Sequence, residues 1–238
     1  MPVNKVKFAA FSPEVVEIHE MFRAQPASEH IAKPPTLEAL FQVCQANDLK
    51  RVLELGGGLG TISRLLLKYS NAQLDIYEHD VYFRDRLREN LAEFTGRYQI
   101  LSDYRTLPPH RDYDLVVVDG GHSRKDAPGE ASGFNAAIWF YLNYLQSAPL
   151  VYVEGKRHIQ RLWARKAIAK RYIYSLQRFA DTEYLGELAS GGVLIHKVRS
   201  AIFPRRLLNF IFWEIIEGNT VRNHLSFRLR KLTDRFKI

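Results

Sequence analysis

Residues 54–60 read Glu-Leu-Gly-Gly-Gly-Leu-Gly, an acid followed by alternating glycines, placed between two apolar segments of different period. Upstream, 51–55 (Arg-Val-Leu-Glu-Leu) has the length and apolar character of a short buried strand. Downstream, Ile62, Leu65, Leu66 and Tyr69 recur at the spacing of one helical face. A strand that must turn at once into a helix needs residues that tolerate positive φ and present no Cβ. Such a turn points the free amide donors of a helix N-terminus at whatever lies above it. The pattern predicts a nucleotide-type ligand, with a tight turn that holds no ligand as the alternative.

Spacing separates the ligand classes. The dinucleotide fingerprint needs a glycine three residues after its second one. Counting from Gly58 that position is Thr61, and counting from Gly60 it is Ser63, so a nicotinamide dinucleotide fits poorly. Two more landmarks follow. Residues 73–78 (Gln-Leu-Asp-Ile-Tyr-Glu) form a second apolar strand ending in Glu78, which lies 24 positions after Glu54. An acid at that strand end can accept from a ribose diol. It can also serve the start of the helix expected over 81–94, a task for which Asp80 is available. Residues 98–103 (Tyr-Gln-Ile-Leu-Ser-Asp) form a third strand, followed by Asp103 and Tyr104, where Asp103 either meets a ligand or caps a turn.

Glu54, Gly56, Gly58 and Gly60 resemble motif I of the class I S-adenosylmethionine (SAM) dependent methyltransferases, Glu/Asp-x-Gly-x-Gly-x-Gly. The resemblance implies SAM as cofactor, held at Glu54, Gly56, Gly57, Gly58 and Gly60. It implies Glu78 on the ribose, Asp103 on the adenine amino group and Tyr104 over the ring.

The remaining pattern alternates strand and helix. Strands near 51–55, 73–78, 98–101, 113–118 and 150–153 are separated by helices near 60–69, 81–94, 134–147 and 157–178. This argues for a parallel sheet covered on both faces. Ahead of it, Ser12-Pro13-Glu14 opens a helix to about Arg23, and Thr36, after Pro34-Pro35, caps another to about Gln45. Residues 183–189 and 193–198, joined by Ser190-Gly-Gly192, read as a hairpin. Class I methyltransferases resemble this too, because their sheet ends in an antiparallel hairpin. The expected fold is therefore α/β, a doubly wound Rossmann-like seven-stranded sheet with a terminal antiparallel hairpin. The expected organisation is an N-terminal helical lead (1–35), a SAM-binding domain (36–198) and a basic amphipathic extension (199–238).

In doubly wound sheets the reacting groups gather at the carboxyl ends of the strands. The fourth strand delivers Asp119 and, three residues on, His122; the fifth delivers Glu154, Lys156, Arg157 and His158. Asp119 matches the motif IV acid of the family, which implies a place beside SAM and the transferring methyl group. His122 is the candidate general base, because an imidazole titrates near neutrality; the alternative is a loop histidine bonded to backbone. Residues 118–123 (Val-Asp-Gly-Gly-His-Ser) resemble small-molecule and sugar O-methyltransferases, some of which bind a divalent cation through this acid. Those relatives place a second acid pair at the fifth strand end, where this chain reads Glu154-Gly155, so a divalent metal is conceivable but not favoured. A local resemblance of 118–129 to the glucuronoxylan 4-O-methyltransferases implies an acceptor bearing a uronic acid. An anionic acceptor would suit the cluster Lys156, Arg157, His158 and Arg161, with Arg165 and Lys166 beyond it; a solvated helix face is the other reading.

Charge is unevenly spread. Residues 1–154 carry 16 Lys/Arg against 20 Asp/Glu, whereas 155–198 and 199–238 each carry 9 against 3, so the net +8 resides wholly in the last third. A positive face attracts glycans, lipid headgroups or nucleic acid without choosing among them. Residues 203–216 are strongly apolar and 223–232 amphipathic and basic, which suggests a membrane surface or a cap on the substrate site, with packing against the sheet domain or a second subunit as the alternative. A single cysteine, Cys44, excludes an internal disulfide framework. With no evident secretory leader and no run of about 18 apolar residues, a cytoplasmic protein, possible at the membrane periphery, is expected. An RNA methyltransferase and a catalytically silent SAM-binding scaffold are the rivals. Nucleic acid is the less favoured partner, since no Asn/Asp-Pro-Pro-Tyr motif or RNA-binding module is evident.

Overall fold

The structure, a computed structural model, describes residues 11–105, 112–121, 130–184 and 187–216. Seven strands form one sheet: β1 (Arg51–Leu55), β2 (Gln73–Tyr77), β3 (Tyr98–Leu101), β4 (Leu115–Val118), β5 (Leu150–Val153), β6 (Tyr172–Arg178) and β9 (Val193–Ser200). Their order is β3-β2-β1-β4-β5-β9-β6. Neighbours from β3 through β5 run parallel, while β9 pairs antiparallel with both β5 and β6. The order reverses beside β1, so a crevice opens above the carboxyl ends of β1 and β4, the place where such sheets bind ligands.

Period-two alternation in the central strands builds two cores. Val52, Leu74 and Val117 face one way, onto α1 (Pro13–Arg23), α2 (Pro34–Ala46) and α3 (Thr61–Tyr69), and pack with Val15, Phe22, Leu40 and Leu65. Leu53, Leu55, Val116 and Val118 face the other way, onto α5 (Glu130–Tyr144) and α6 (His158–Ala169). Strands buried on both faces carry no solvent-facing polar stripe, as a covered parallel sheet requires. Asp80 caps α4 (Val81–Asn90), accepting from the amides of Tyr82 at 2.8 Å and Phe83 at 3.3 Å. That leaves Glu78 for another partner.

Three local expectations need correction. The helix expected over 157–178 stops at Ala169, and 172–178 is strand β6, because its pairing with β9 along 172–178 outweighs local helix propensity. The expected partner of 193–198 is accordingly wrong: β7 (Asp181–Tyr184) and β8 (Glu187–Ser190) pair only with each other as a small inserted hairpin. Helix α2 begins at Pro34 after Lys33, and Thr36 sits buried inside its first turn, where its hydroxyl donates to Glu154 Oε1 at 3.1 Å.

Helix α7 (Phe203–Ile216) docks through a mixed face, with Phe210 and Trp213 packed against the second core and polar groups turned inward beside them. Asn209 exchanges two hydrogen bonds of 3.0 Å with the backbone of Tyr174, Trp213 Nε1 donates to the Tyr174 carbonyl at 2.8 Å, and Glu214 accepts from Arg165 Nε at 2.7 Å. Arg165 is fully buried. Removing Glu214 would break that buried ion pair, and Glu214→Ala should cost about 3–5 kcal/mol in a denaturant titration. The outward face is apolar instead: Phe203, Leu208, Phe212 and Ile215 are each more than half exposed. Residues 217–238 lie outside the described residues.

Candidate functional site

The glycine loop is tied to the end of β2. The amides of Gly56 and Gly57 both donate to the Tyr77 carbonyl, at 3.0 and 3.3 Å, which bends the chain over the crevice. Gly56 has φ +107°, and a Cβ there would collide with the carbonyl oxygen of Asp119, so only glycine lets β1 and the end of β4 approach this closely. At Gly58, φ is +51° and nothing lies within 4 Å of the Cβ direction, so the loop backbone is open on its ligand side.

Glu78 is buried and held in place by backbone. Its Oε2 accepts from Gly58 N and its Oε1 from Asp80 N, both at 2.9 Å. Each oxygen keeps further acceptor capacity, the arrangement needed to receive a vicinal diol. Glu54 is deeper still. Its Oε2 accepts from Ser63 Oγ at 2.6 Å, whereas its Oε1 has no hydrogen-bond partner among the described residues. Burial pushes its carboxyl well above the usual range; Ser63 opposes this, and the charges of Asp119 and Glu78 add to it.

Beside Glu78 lies a cavity of about 300 Å³ lined by Tyr77, His79, Ser102, Asp103, Tyr104, Arg105 and Gly133. That is the low end of the range for small-ligand pockets. Tyr77, His79 and Tyr104 give the cavity an aromatic wall; Phe134 stacks on Tyr77 at 5.5 Å and on His79 at 5.4 Å, and Tyr104 tilts against Phe140. Asp103 is clamped by Arg105, whose Nε lies 2.9 and 3.0 Å from its two oxygens and whose Nη2 donates at 2.7 Å. The clamp holds the Asp103 carboxyl down at about 2. Sequence reasoning singled out Asp103 and Tyr104 but missed His79, Arg105 and Phe134. Adjacency to Glu78 and Asp103 was the available signal for the first two, whereas Phe134 arrives from α5 with none.

At the ends of β4 and β5, the pairing of Val118 with Val153 sets Asp119 and Glu154 side by side. Arg157 lies between them: Nη2 donates to Asp119 Oδ1 at 3.1 Å, Nε to Glu154 Oε2 at 3.0 Å, and Nη1 to the Gly121 carbonyl at 3.2 Å. The other cations of the segment diverge. Lys156 is exposed, His158 opens α6, Arg161 is buried and donates to the Gly155 carbonyl, and Arg165 turns inward to Glu214. His122 lies outside the described residues, as does the rest of 122–129. Among the described residues no group of three or more His, Cys, Asp or Glu side chains could hold a metal ion.

Desolvation pushes the Asp119 carboxyl up to about 7, with the Glu154 charge adding to the rise, Arg157 opposing it and Glu78 contributing slightly. Because the folded value lies above the unfolded one, near 3.9, Asp119 contributes stability that is complete at low pH and is lost as pH rises through about 7. Carboxyl carbon NMR of Asp119 is expected to titrate near neutrality, and Arg157→Met to move its midpoint upward by about a unit or more. A midpoint near 4 in both proteins would contradict this electrostatic picture.

No protein-family model and no curated protein matches the sequence. Solved structures do match the fold. The O-methyltransferase TomG from Streptomyces achromogenes, involved in tomaymycin synthesis and solved in complex with SAM, aligns with TM-score 0.56 and 16% identity over 79% of this chain and 91% of its own. The SAH-bound methyltransferase PaMTH1 from Podospora anserina aligns with TM-score 0.52 and 15% identity over 79% and 89%. The tRNA (m1A58) methyltransferase TrmI from Aquifex aeolicus aligns with TM-score 0.54 and 15% identity over 77% and 76%. The chain therefore has the class I SAM-dependent methyltransferase fold.

Proposed function

We propose that this protein transfers a methyl group from SAM to a hydroxyl of a sugar, glycan or other anionic small molecule. The observation that carries the reading is Glu78, a buried carboxylate fixed by the amides of Gly58 and Asp80 beside an open glycine loop and an aromatic-walled cavity. In this reading Glu78 receives the ribose diol, the cavity edged by Asp103 and Tyr104 takes the adenine, and Gly56, Gly57, Gly58 and Gly60 let the backbone approach the nucleoside. Glu54, with one oxygen unpartnered among the described residues, and Asp119 supply negative character beneath the cationic methionine end.

SAM supplies an electrophilic methyl on a sulfonium: the acceptor oxygen forms the new C–O bond as the C–S pair leaves on sulfur. The protein's task is to align that oxygen and remove its proton. We assign proton removal to His122 and orientation to Asp119 and Glu154. Of Lys156, Arg157, His158 and Arg161, which follow the same strand in sequence, the exposed Lys156 suits direct contact with an anionic acceptor. Methyl-group transfer from labelled SAM to hydroxyl-bearing uronosides is the test. His122→Ala should lower turnover by about 100-fold or more while SAM affinity stays unchanged; parallel loss of both would count against the assignment. Transfer only to RNA, with binding that weakens steeply with salt, would favour the RNA reading instead, and SAM binding with no acceptor would favour a silent scaffold.

We further propose that the extension rests on an anionic membrane surface. The support is the inverted docking of α7, apolar side outward, in a segment (199–238) carrying 9 Lys/Arg against 3 Asp/Glu. No helix among the described residues is long and apolar enough to cross a membrane. Truncation before α7 would expose Arg165, so the informative variant is Leu208→Glu with Ile215→Glu in the full chain. It should abolish flotation with vesicles containing phosphatidylglycerol. Flotation equal to that of the parent protein would remove the membrane reading, and concentration-dependent dimerisation without flotation would replace it with self-association.

A further inference from the structure

Two carboxylates at adjacent strand ends, with a backbone carbonyl beside them, make an oxygen set of the kind that hard divalent cations take. In this protein those oxygens already have a cation. Arg157 donates to Asp119 Oδ1, Glu154 Oε2 and the Gly121 carbonyl, each from a different nitrogen, at 3.1, 3.0 and 3.2 Å. Its side chain is 29% exposed, and those of Asp119 and Glu154 are 19% and 16% exposed. A guanidinium cannot be deprotonated in a protein, so its charge is permanent.

The surroundings hold the guanidinium there. Arg157 stands at the N-cap of α6, three residues after Glu154, so the turn through Gly155 (φ +55°) folds the side chain back over the end of β4. Glu154 is braced from the opposite side by the buried Thr36 hydroxyl, which donates to Oε1 at 3.1 Å. A divalent ion entering this set would have to displace a group that satisfies all three oxygens at once, and would then lie against the stranded positive charge.

We propose that Arg157 is a built-in cation that closes the Asp119–Glu154 site to divalent metals, and that it is therefore a positioning residue which fixes both carboxylates in a single geometry. The inference concerns the same strand ends as the methyl-transfer reading but does not require it, because its test reads metal binding and not turnover.

The test uses full-length protein and Mn²⁺, followed by electron paramagnetic resonance and calorimetry. The parent protein should show no saturable Mn²⁺ site at millimolar metal. Arg157→Ala should gain one site with a dissociation constant on the order of 10⁻⁴–10⁻³ M, the range of weak oxygen-ligand sites, and adding Asp119→Asn should abolish it. Arg157→Lys, which keeps a charge in the gap, should remain closed. A parent protein that binds Mn²⁺ in a manner lost on Asp119→Asn would overturn the proposal. So would a folded Arg157→Ala that binds none, since the oxygens would then not constitute a latent cation site. Should Arg157→Ala fail to fold, the parent protein compared with Asp119→Asn still decides whether the site is closed. SAM calorimetry on the same parent sample reads the methyl-transfer proposal separately, so either can fail alone.

Discussion

Crowded negative charge at the carboxyl edge of the parallel sheet governs the site. Glu54 on β1, Glu78 after β2, Asp119 after β4 and Glu154 after β5 are drawn together by the strand order and register, and water is largely excluded from them. Burial raises the Glu54 and Asp119 carboxyls, and neighbouring carboxylates add to the rise in both cases. Such a cluster is tolerable only if its members are hydrogen-bonded, neutralised or protonated. Backbone amides hold Glu78, Arg157 bridges Asp119 and Glu154, and Ser63 donates to one oxygen of Glu54.

This edge also accounts for the glycines. The β1–α3 turn can sit over the carboxylates only if its backbone touches both the Tyr77 carbonyl and the end of β4, and Gly56 makes that contact with no room for a side chain. Gly58 then leaves the opposite side open. A cationic, hydroxyl-rich nucleoside matches a recess whose floor is acidic, whose rim is an amide-fixed carboxylate and whose side wall is aromatic. The same electrostatics favour a single positive centre more than a neutral one, because the low-dielectric setting magnifies the attraction.

Much of this was legible in the residue order, for local reasons. The acid-glycine loop, the apolar strands 73–77, 115–118 and 150–153, and the Asp80 cap are each specified within a few positions, and the sheet follows from their alternation. What local pattern could not convey depended on distant partners. Residues 172–178 become a strand because β9 lies beside them, and 181–190 become a separate hairpin because β6 has already taken the place expected for them. Arg165 looked like an acceptor-facing cation but is claimed by Glu214, 49 residues later. Arg157 sits in the expected cluster, yet its pairing with Asp119 spans 38 positions and turns it from an open anion receptor into an internal counter-charge. Phe134 comes to stack on the cavity residues Tyr77 and His79 only through the packing of α5.

Inverted amphipathicity in α7 is a second consequence of long-range pairing. Asn209 and Glu214 turn inward to the Tyr174 backbone and Arg165, beside the packed Phe210 and Trp213, while Phe203, Leu208, Phe212 and Ile215 are left facing outward. The helix thereby presents an exposed apolar face while its inward groups bond to the Tyr174 backbone and Arg165.

The claim on which the rest stands is that the recess bounded by residues 54–60 and Glu78 holds a sulfonium nucleoside, and isothermal calorimetry of the intact protein with SAM and its demethylated product addresses it directly. One-to-one binding of both is expected, weakened by about 10-fold or more in Glu78→Ala through loss of the charged hydrogen bonds to the diol. Absence of heat with either nucleoside, in protein shown to be folded, would contradict it.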